Sequence, residues 1–244
     1  MVLFEKKGKI AGRLAVGVLV LMSLLGAAWS AQAQDAKSPY PKMAPVNEYM
    51  IADRNAEVAL ARTAAPDSIS RDATILVLGQ HGYETAVKGT NGFVCLVERS
   101  FMASYKSSEF WNPKNRSPDC YNPQAAQSIL PLIRNRAEMV LAGLSKEQMM
   151  DAEKAFGAKE VPALQLGAMC YMMSKEAYLT DQGNHNLSHL MFFVPEGTAW
   201  GENLDGSPVG LLAKEVPGAP SPVSVYLVPV QQWSDGTSAV PVAH

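Results

Sequence analysis

Apolar and polar positions along this chain fall into blocks that read as separate secondary-structure elements. From Asn47 onward, Met50, Ile51, Val58, Leu60 and Ala61 mix with Asp53, Arg54, Glu57 and Arg62 at spacings that put the apolar set largely on one side. That pattern predicts a helix, which Pro66 ends. Residues 74–79 form a β-rich run, and Gln80-His81-Gly82 reads as a turn. A second extended stretch covers 83–88, a Gly89-Thr90-Asn91-Gly92 turn follows, and a third run covers 93–98. Because Asn-Gly tolerates the positive φ of a tight hairpin, residues 74–99 are expected to form an antiparallel three-stranded meander.

Residues 104–123 break the pattern. Asn112-Pro113 and Asn122-Pro123 flank Lys114, Arg116 and Pro118, a composition that predicts irregular backbone. A loop of this length in a compact domain either packs on something or serves a function. Pro123 then opens a helix carrying Ile129, Leu132, Ile133, Val140 and Leu141, with Pro131 as an early kink and Gly143 at the close. Ser145-Lys146-Glu147-Gln148 has the capping-box spacing and begins a second helix through Met149, Met150 and Phe156 to Gly157. The two helices read as an antiparallel pair.

Later strands are expected over 166–174, 189–194 and 223–230, separated by a polar loop at 180–188 and a long Gly/Pro segment at 195–222. The order is one N-terminal helix, three strands, a central helix pair and three strands. This is an α+β pattern with a mostly antiparallel sheet, lacking the βαβ alternation of a parallel one.

Residues before Asn47 change the picture by their charge and their small side chains. Lys6, Lys7, Lys9 and Arg13 precede an uncharged run over 14–29, and Ala31 and Ala33 supply the A-x-A spacing of a signal-peptidase site. A spanning helix wants about 20 apolar residues. The run is shorter and holds Gly17 and Gly26, so cleavage after Ala33 is the expectation rather than a retained anchor. The chain therefore divides into a cleavable signal (1–33), an extended lead-in (34–45), a single globular α+β domain (46–233) and a flexible tail (234–244). The expected location is periplasmic or secreted, with no stable membrane insertion once the signal is removed.

The full chain has a formal charge of −2, and losing four bases and one acid with the signal makes the mature chain −5. No basic stripe is present to displace counterions from phosphates, which sets nucleic acid aside as a partner. The three cysteines, Cys95, Cys120 and Cys170, face an oxidising compartment in which disulfides persist. Cys95 and Cys170 sit in strand-like runs, and Cys120 in the proline-bounded segment. If one bond forms, Cys120 pairs with Cys95 or Cys170; the alternative is three reduced thiols.

Candidate chemistry concentrates on histidine. His185 and His189 have H-x3-H spacing in a polar loop, and His81 in the first turn is a third ligand for a transition metal such as zinc. Glu84 or Glu196 would act as general base or fourth ligand, the makings of a hydrolytic centre. The alternative is that loop histidines make ordinary hydrogen bonds and face solvent. No G-x-S-x-G elbow and no phosphate-cradling glycine loop is present. Phe110, Trp111 and Tyr121, with Trp200, would line a pocket or a partner surface, or else cap the open face of the sheet. The leading expectation is a binding or accessory module acting on a small molecule or an envelope protein, and the second is a metal-dependent enzyme.

Overall fold

A computed structural model of the chain describes residues 38–181, 187–213, 216, 218–219 and 223–239. The signal segment, the first residues of the lead-in, His185 and the last five residues lie outside the described residues. Among the described residues no helix is long and apolar enough to cross a membrane.

The fold is α+β: among the described residues, five α-helices and one mixed, mostly antiparallel eight-stranded sheet. Helix α1 (Arg54–Arg62) starts at Asp53, whose carboxylate accepts the Asn55 N–H, and a short α2 (Asp67–Ser70) follows Pro66. Strands β1 (Thr74–Gly79), β2 (Gly82–Val87), β3 (Val94–Glu98) and β4 (Ser117–Tyr121) come next. Helix α3 (Pro123–Ser128) has Pro123 in its first turn and Asn122 as its cap, and α4 (Leu130–Leu141) restarts the helical run with Pro131 in its own first turn. The single predicted helix is thus two, since Pro131 has no N–H to carry the ladder through. Gly143, at φ 79°, closes α4. Helix α5 (Lys146–Glu160) begins with the predicted capping box, Ser145 and Gln148 bonding reciprocally. Strands β5 (Met169–Met172), β6 (His189–Pro195), β7 (Gly210–Ala213) and β8 (Val223–Pro229) complete the set.

The strands lie in the order β2-β1-β3-β4-β5-β6-β8-β7. β1 and β2 form the expected hairpin, with Gly79 opposite Gly82. β3, however, does not return beside β2 as a meander would. It crosses beneath the start of β1 and runs parallel to it, pairing Thr74 with Val94 and Ile75 with Cys95. The crossing is fixed by Gly89 N–H donating to the Thr74 hydroxyl (3.1 Å) and by the Thr90 and Asn91 N–H groups donating to the Asp72 carbonyl.

β4 lies inside the segment expected to be irregular, and it is central and buried. Pro118 is tolerated there for a geometric reason. Cys95 and Cys120 face each other with Cα atoms 4.0 Å apart, the close spacing of a non-hydrogen-bonded pair. Pro118, two residues away opposite Val97, belongs to the same class, so its missing N–H removes no bond to β3.

Two packed layers flank the sheet. On one face Ala61, Ala64 and Ala65, from α1 and the turn after it, cover Ile75, Cys95, Val97 and Cys120. On the other, Ala125, Ile129, Leu130, Val140 and Met149 from α3, α4 and α5 cover Leu76, Leu78, Leu96 and Tyr121. α5 also carries a close backbone approach, because a Cβ at Gly157 would collide with the Gly218 carbonyl oxygen. At the chain's end, residues 234–239 make a turn held by the Lys175–Asp235 ion pair and by Ser234 N–H donating to the Met173 carbonyl.

Candidate functional site

The parallel ladder between β1 and β3 is only two residues long. Beyond Ile75 their backbone groups must be satisfied in other ways, because burying an unpaired amide costs about 1–3 kcal/mol. Side chains do this. Glu57 of α1 accepts the Leu78 N–H (3.1 Å), and the Tyr83 hydroxyl reaches across β1 to donate to the Val97 carbonyl (2.7 Å). Arg99 donates to that same carbonyl, to the Tyr49 carbonyl (2.7 Å) and to Glu57 (2.8 Å). Glu57 and Arg99 are each 1 % exposed.

The chain leaves β1 toward β2 on one side and β3 toward β4 on the other. Diverging connections of this kind open a crevice at the carboxyl ends of parallel strands. A cleft of about 680 Å³ lies there, lined by residues 50–52 ahead of α1, by 78–84 of the β1–β2 hairpin, and by Arg134 and Glu138 of α4. Gly82, at φ 132°, makes the tight reversal, and a Cβ there would press on the Glu138 side chain at 2.8 Å. The missing Cβ leaves room for α4 to lie that close to the hairpin.

Charged and polar groups dominate the cleft wall. Glu84 is bound by Arg54 in an exposed ion pair. Arg134 has one weak bond, 3.3 Å to the Tyr83 carbonyl. No hydrogen bond or ion pair to another described residue engages the side chains of Gln80, His81 or Glu138. Met50, Ile51 and Leu78 supply the apolar part of the wall.

His81 and His189 are not brought together. His81 lies in the turn after β1 and His189 opens β6, four strands away in the sheet. At about 4.8 Å per strand their separation is on the order of 19 Å, whereas metal–nitrogen bonds are near 2 Å, so the two share no ion. His189 is buried, its Nδ1 bonds the Leu187 carbonyl, and burial lowers its pKa. Glu196 follows β6 at the opposite end of that strand, about 20 Å further on. Among the described residues no group of three or more His, Cys, Asp or Glu side chains is placed to hold a metal ion.

The aromatic residues considered for a binding surface are mostly core. Phe110 is 0 %, Trp111 5 % and Tyr121 2 % exposed. Phe110 meets Trp111 edge-on at 4.6 Å, and Lys146 lies 4.4 Å above the Phe110 ring. Phe110 and Trp111 join the core on the α4 side of the sheet, and Tyr121 is a residue of β4 itself. Trp200, half-buried, stacks on Tyr226 at 5.6 Å and leans on Phe192 at 5.0 Å, over the α1 side of β6 and β8.

Cys120 bonds to Cys95, and Cys170 stays a buried thiol. In the register, Tyr121 faces Cys170 and Tyr171 faces Cys120, so Cys170 points to the opposite sheet face from the disulfide. Asn115, in the glycosylation sequon Asn115-Arg116-Ser117, is buried and donates its amide to the Leu179 carbonyl. At the surface Asp181 accepts from Tyr40 and Tyr178 and pairs with Lys114 at 3.1 Å, contacts that hold its carboxyl down to about 2.

No family model, curated protein or solved structure matches this chain. Its chemistry is therefore read from the cleft itself. Sequence reasoning found His81 and Glu84 there and missed Arg134 and Glu138, whose i, i+4 spacing on α4 was the available signal.

Proposed function

We propose that the chain is an exported binding module that takes a small, polar, zwitterionic ligand in the cleft at the carboxyl end of β1. The observation that carries this reading is the pair Arg134 and Glu138. They stand one turn apart on α4, opposite in charge, with no ion pair between them or to any other described residue. Side chains at i and i+4 lie about 6 Å apart, close enough for a cation and an anion on one small molecule to engage both. His81 and Gln80 would add hydrogen-bonding groups from the hairpin, and Met50 and Ile51 an apolar wall, the mixture used by small-ligand sites.

Calorimetric titration of the mature chain with a panel of free amino acids tests the reading. Binding that weakens at least tenfold in Arg134→Ala and in Glu138→Ala, with unchanged unfolding midpoints, is the expected result. A panel without any binder, or a binder indifferent to both substitutions, removes the cleft as the ligand site.

A further inference from the structure

Independent of the cleft, the face of β3 and β4 turned toward α4 carries two carboxyl groups to which no cation among the described residues is bonded. Asp119 is 0 % exposed. Its Oδ2 accepts from the Ser117 hydroxyl at 3.2 Å, and its Oδ1 lies 3.8 Å from the Cys170 sulfur. Leu96 faces Asp119 and Glu98 faces Ser117, which makes Glu98 and Asp119 diagonal neighbours on one sheet face. Such neighbours stand about 7 Å apart. Glu98 is partly buried and accepts a hydrogen bond from the Tyr121 hydroxyl.

The arginines nearby are committed to other partners. Arg99, just after β3, is held by Glu57 of α1 and two carbonyls. Arg136, on α4, grips Glu153 of α5 through Nε and Nη2 and donates to the carbonyls of residues 101–103. The remaining titratable groups around the pair are Tyr83 from β2, Tyr121 from β4 and Cys170 from β5. Burial pushes all three up, so they stay neutral near pH 7.

We propose that Glu98 and Asp119 form a coupled carboxyl pair that makes the centre of the sheet a pH-sensitive lock. Protonated, the two groups are neutral, Glu98 beside the Tyr121 hydroxyl and Asp119 beside the Ser117 hydroxyl. Ionised together, they put two like charges in a region where, among the described residues, Arg136 offsets Glu98 only in part because it is bonded to Glu153. Burial and mutual repulsion both favour the neutral form. Burial pushes the Glu98 carboxyl up to about 7 and, with the Glu98 charge, holds Asp119 well above the usual carboxylate range.

The sign follows from proton counting. Unfolded carboxyl groups titrate near 4, so above that pH the folded chain binds more protons than the unfolded one. Stability is fullest at the acidic end and is lost as the pH rises through about 7. One extra proton held by the folded state raises the unfolding constant about tenfold per pH unit between about 5 and 7.

Urea unfolding of the chain with its disulfide intact, from pH 5 to 8, tests the lock in the wild type, Glu98→Gln and Asp119→Asn. All other groups are common to the three chains, so the differences isolate the pair. The expected result is a wild-type unfolding constant that climbs with pH and a climb reduced by up to tenfold per unit in each variant. Equal slopes in all three chains would overturn the proposal. A variant that fails to fold leaves a second measurement on the wild type, the infrared carbonyl band of a protonated carboxyl at pH 6. Its presence in the folded chain and loss on unfolding at the same pH supports the lock; its absence from the folded chain overturns it.

Discussion

Replacing Glu57 by Ala isolates what the buried ion pair beneath the cleft contributes. Glu57 compensates the Arg99 guanidinium at 2.8 Å and accepts the Leu78 N–H at 3.1 Å, in a region where neither partner has access to water. Breaking a buried pair from one side costs about 3–5 kcal/mol, because the surviving charge stays uncompensated. The orphaned Leu78 amide lies within that cost or adds about 1 kcal/mol to it. A loss of about 4 kcal/mol is expected, a large share of the roughly 5–15 kcal/mol typical of a domain. Urea unfolding at pH 7 reads it directly, and because the pair is buried the loss should not shrink between 0.15 and 1 M salt. Arg99→Met with Glu57→Ala removes the stranded charge, so the double variant is expected to be at least 1 kcal/mol more stable than the sum of the two single losses. A Glu57→Ala loss below about 1 kcal/mol, or additive losses, would refute the reasoning.

Two further outcomes follow from the same structure. The Cys95–Cys120 bond closes a loop of sequence separation 25, for which chain entropy gives about 3.5 kcal/mol. A Cys95→Ala/Cys120→Ala chain is expected to lose about that much by denaturant unfolding, and thiol titration of the unfolded, unreduced wild type should count the single thiol of Cys170. His189 has the opposite pH sign to Glu98. Burial lowers its pKa below the unfolded value near 6.5, so its contribution is present above that pH and lost as the pH falls from there through the lowered folded value. His189→Gln should flatten the acidic side of the stability profile, and an unchanged acidic limb would show that another group sets it.

What the sequence by itself determined was local. Asn122-Pro123, Gly143 and the Ser145/Gln148 box set helix boundaries through bonds that span four residues or fewer, and the structure has those boundaries. Most of the division into helices and strands was legible for the same reason, since periodicity is read within one element, but β4 and β7 lie in segments expected to be irregular. The partners were not. β3 beside β1 rather than β2, β4 as a central strand despite Pro118, and Cys95 as the mate of Cys120 all depend on which backbone lies alongside. Arg99 looked like the polar end of a strand, and Glu57 like one more charge on a helix that carries several. Only the two-residue ladder between β1 and β3 makes them a buried pair, because the strands part after Ile75 and leave backbone groups that a distant side chain must satisfy. His81 and His189, matched by residue type, are parted by the same sheet. Residue chemistry is written along the chain, whereas distance and desolvation are set by how the strands are ordered.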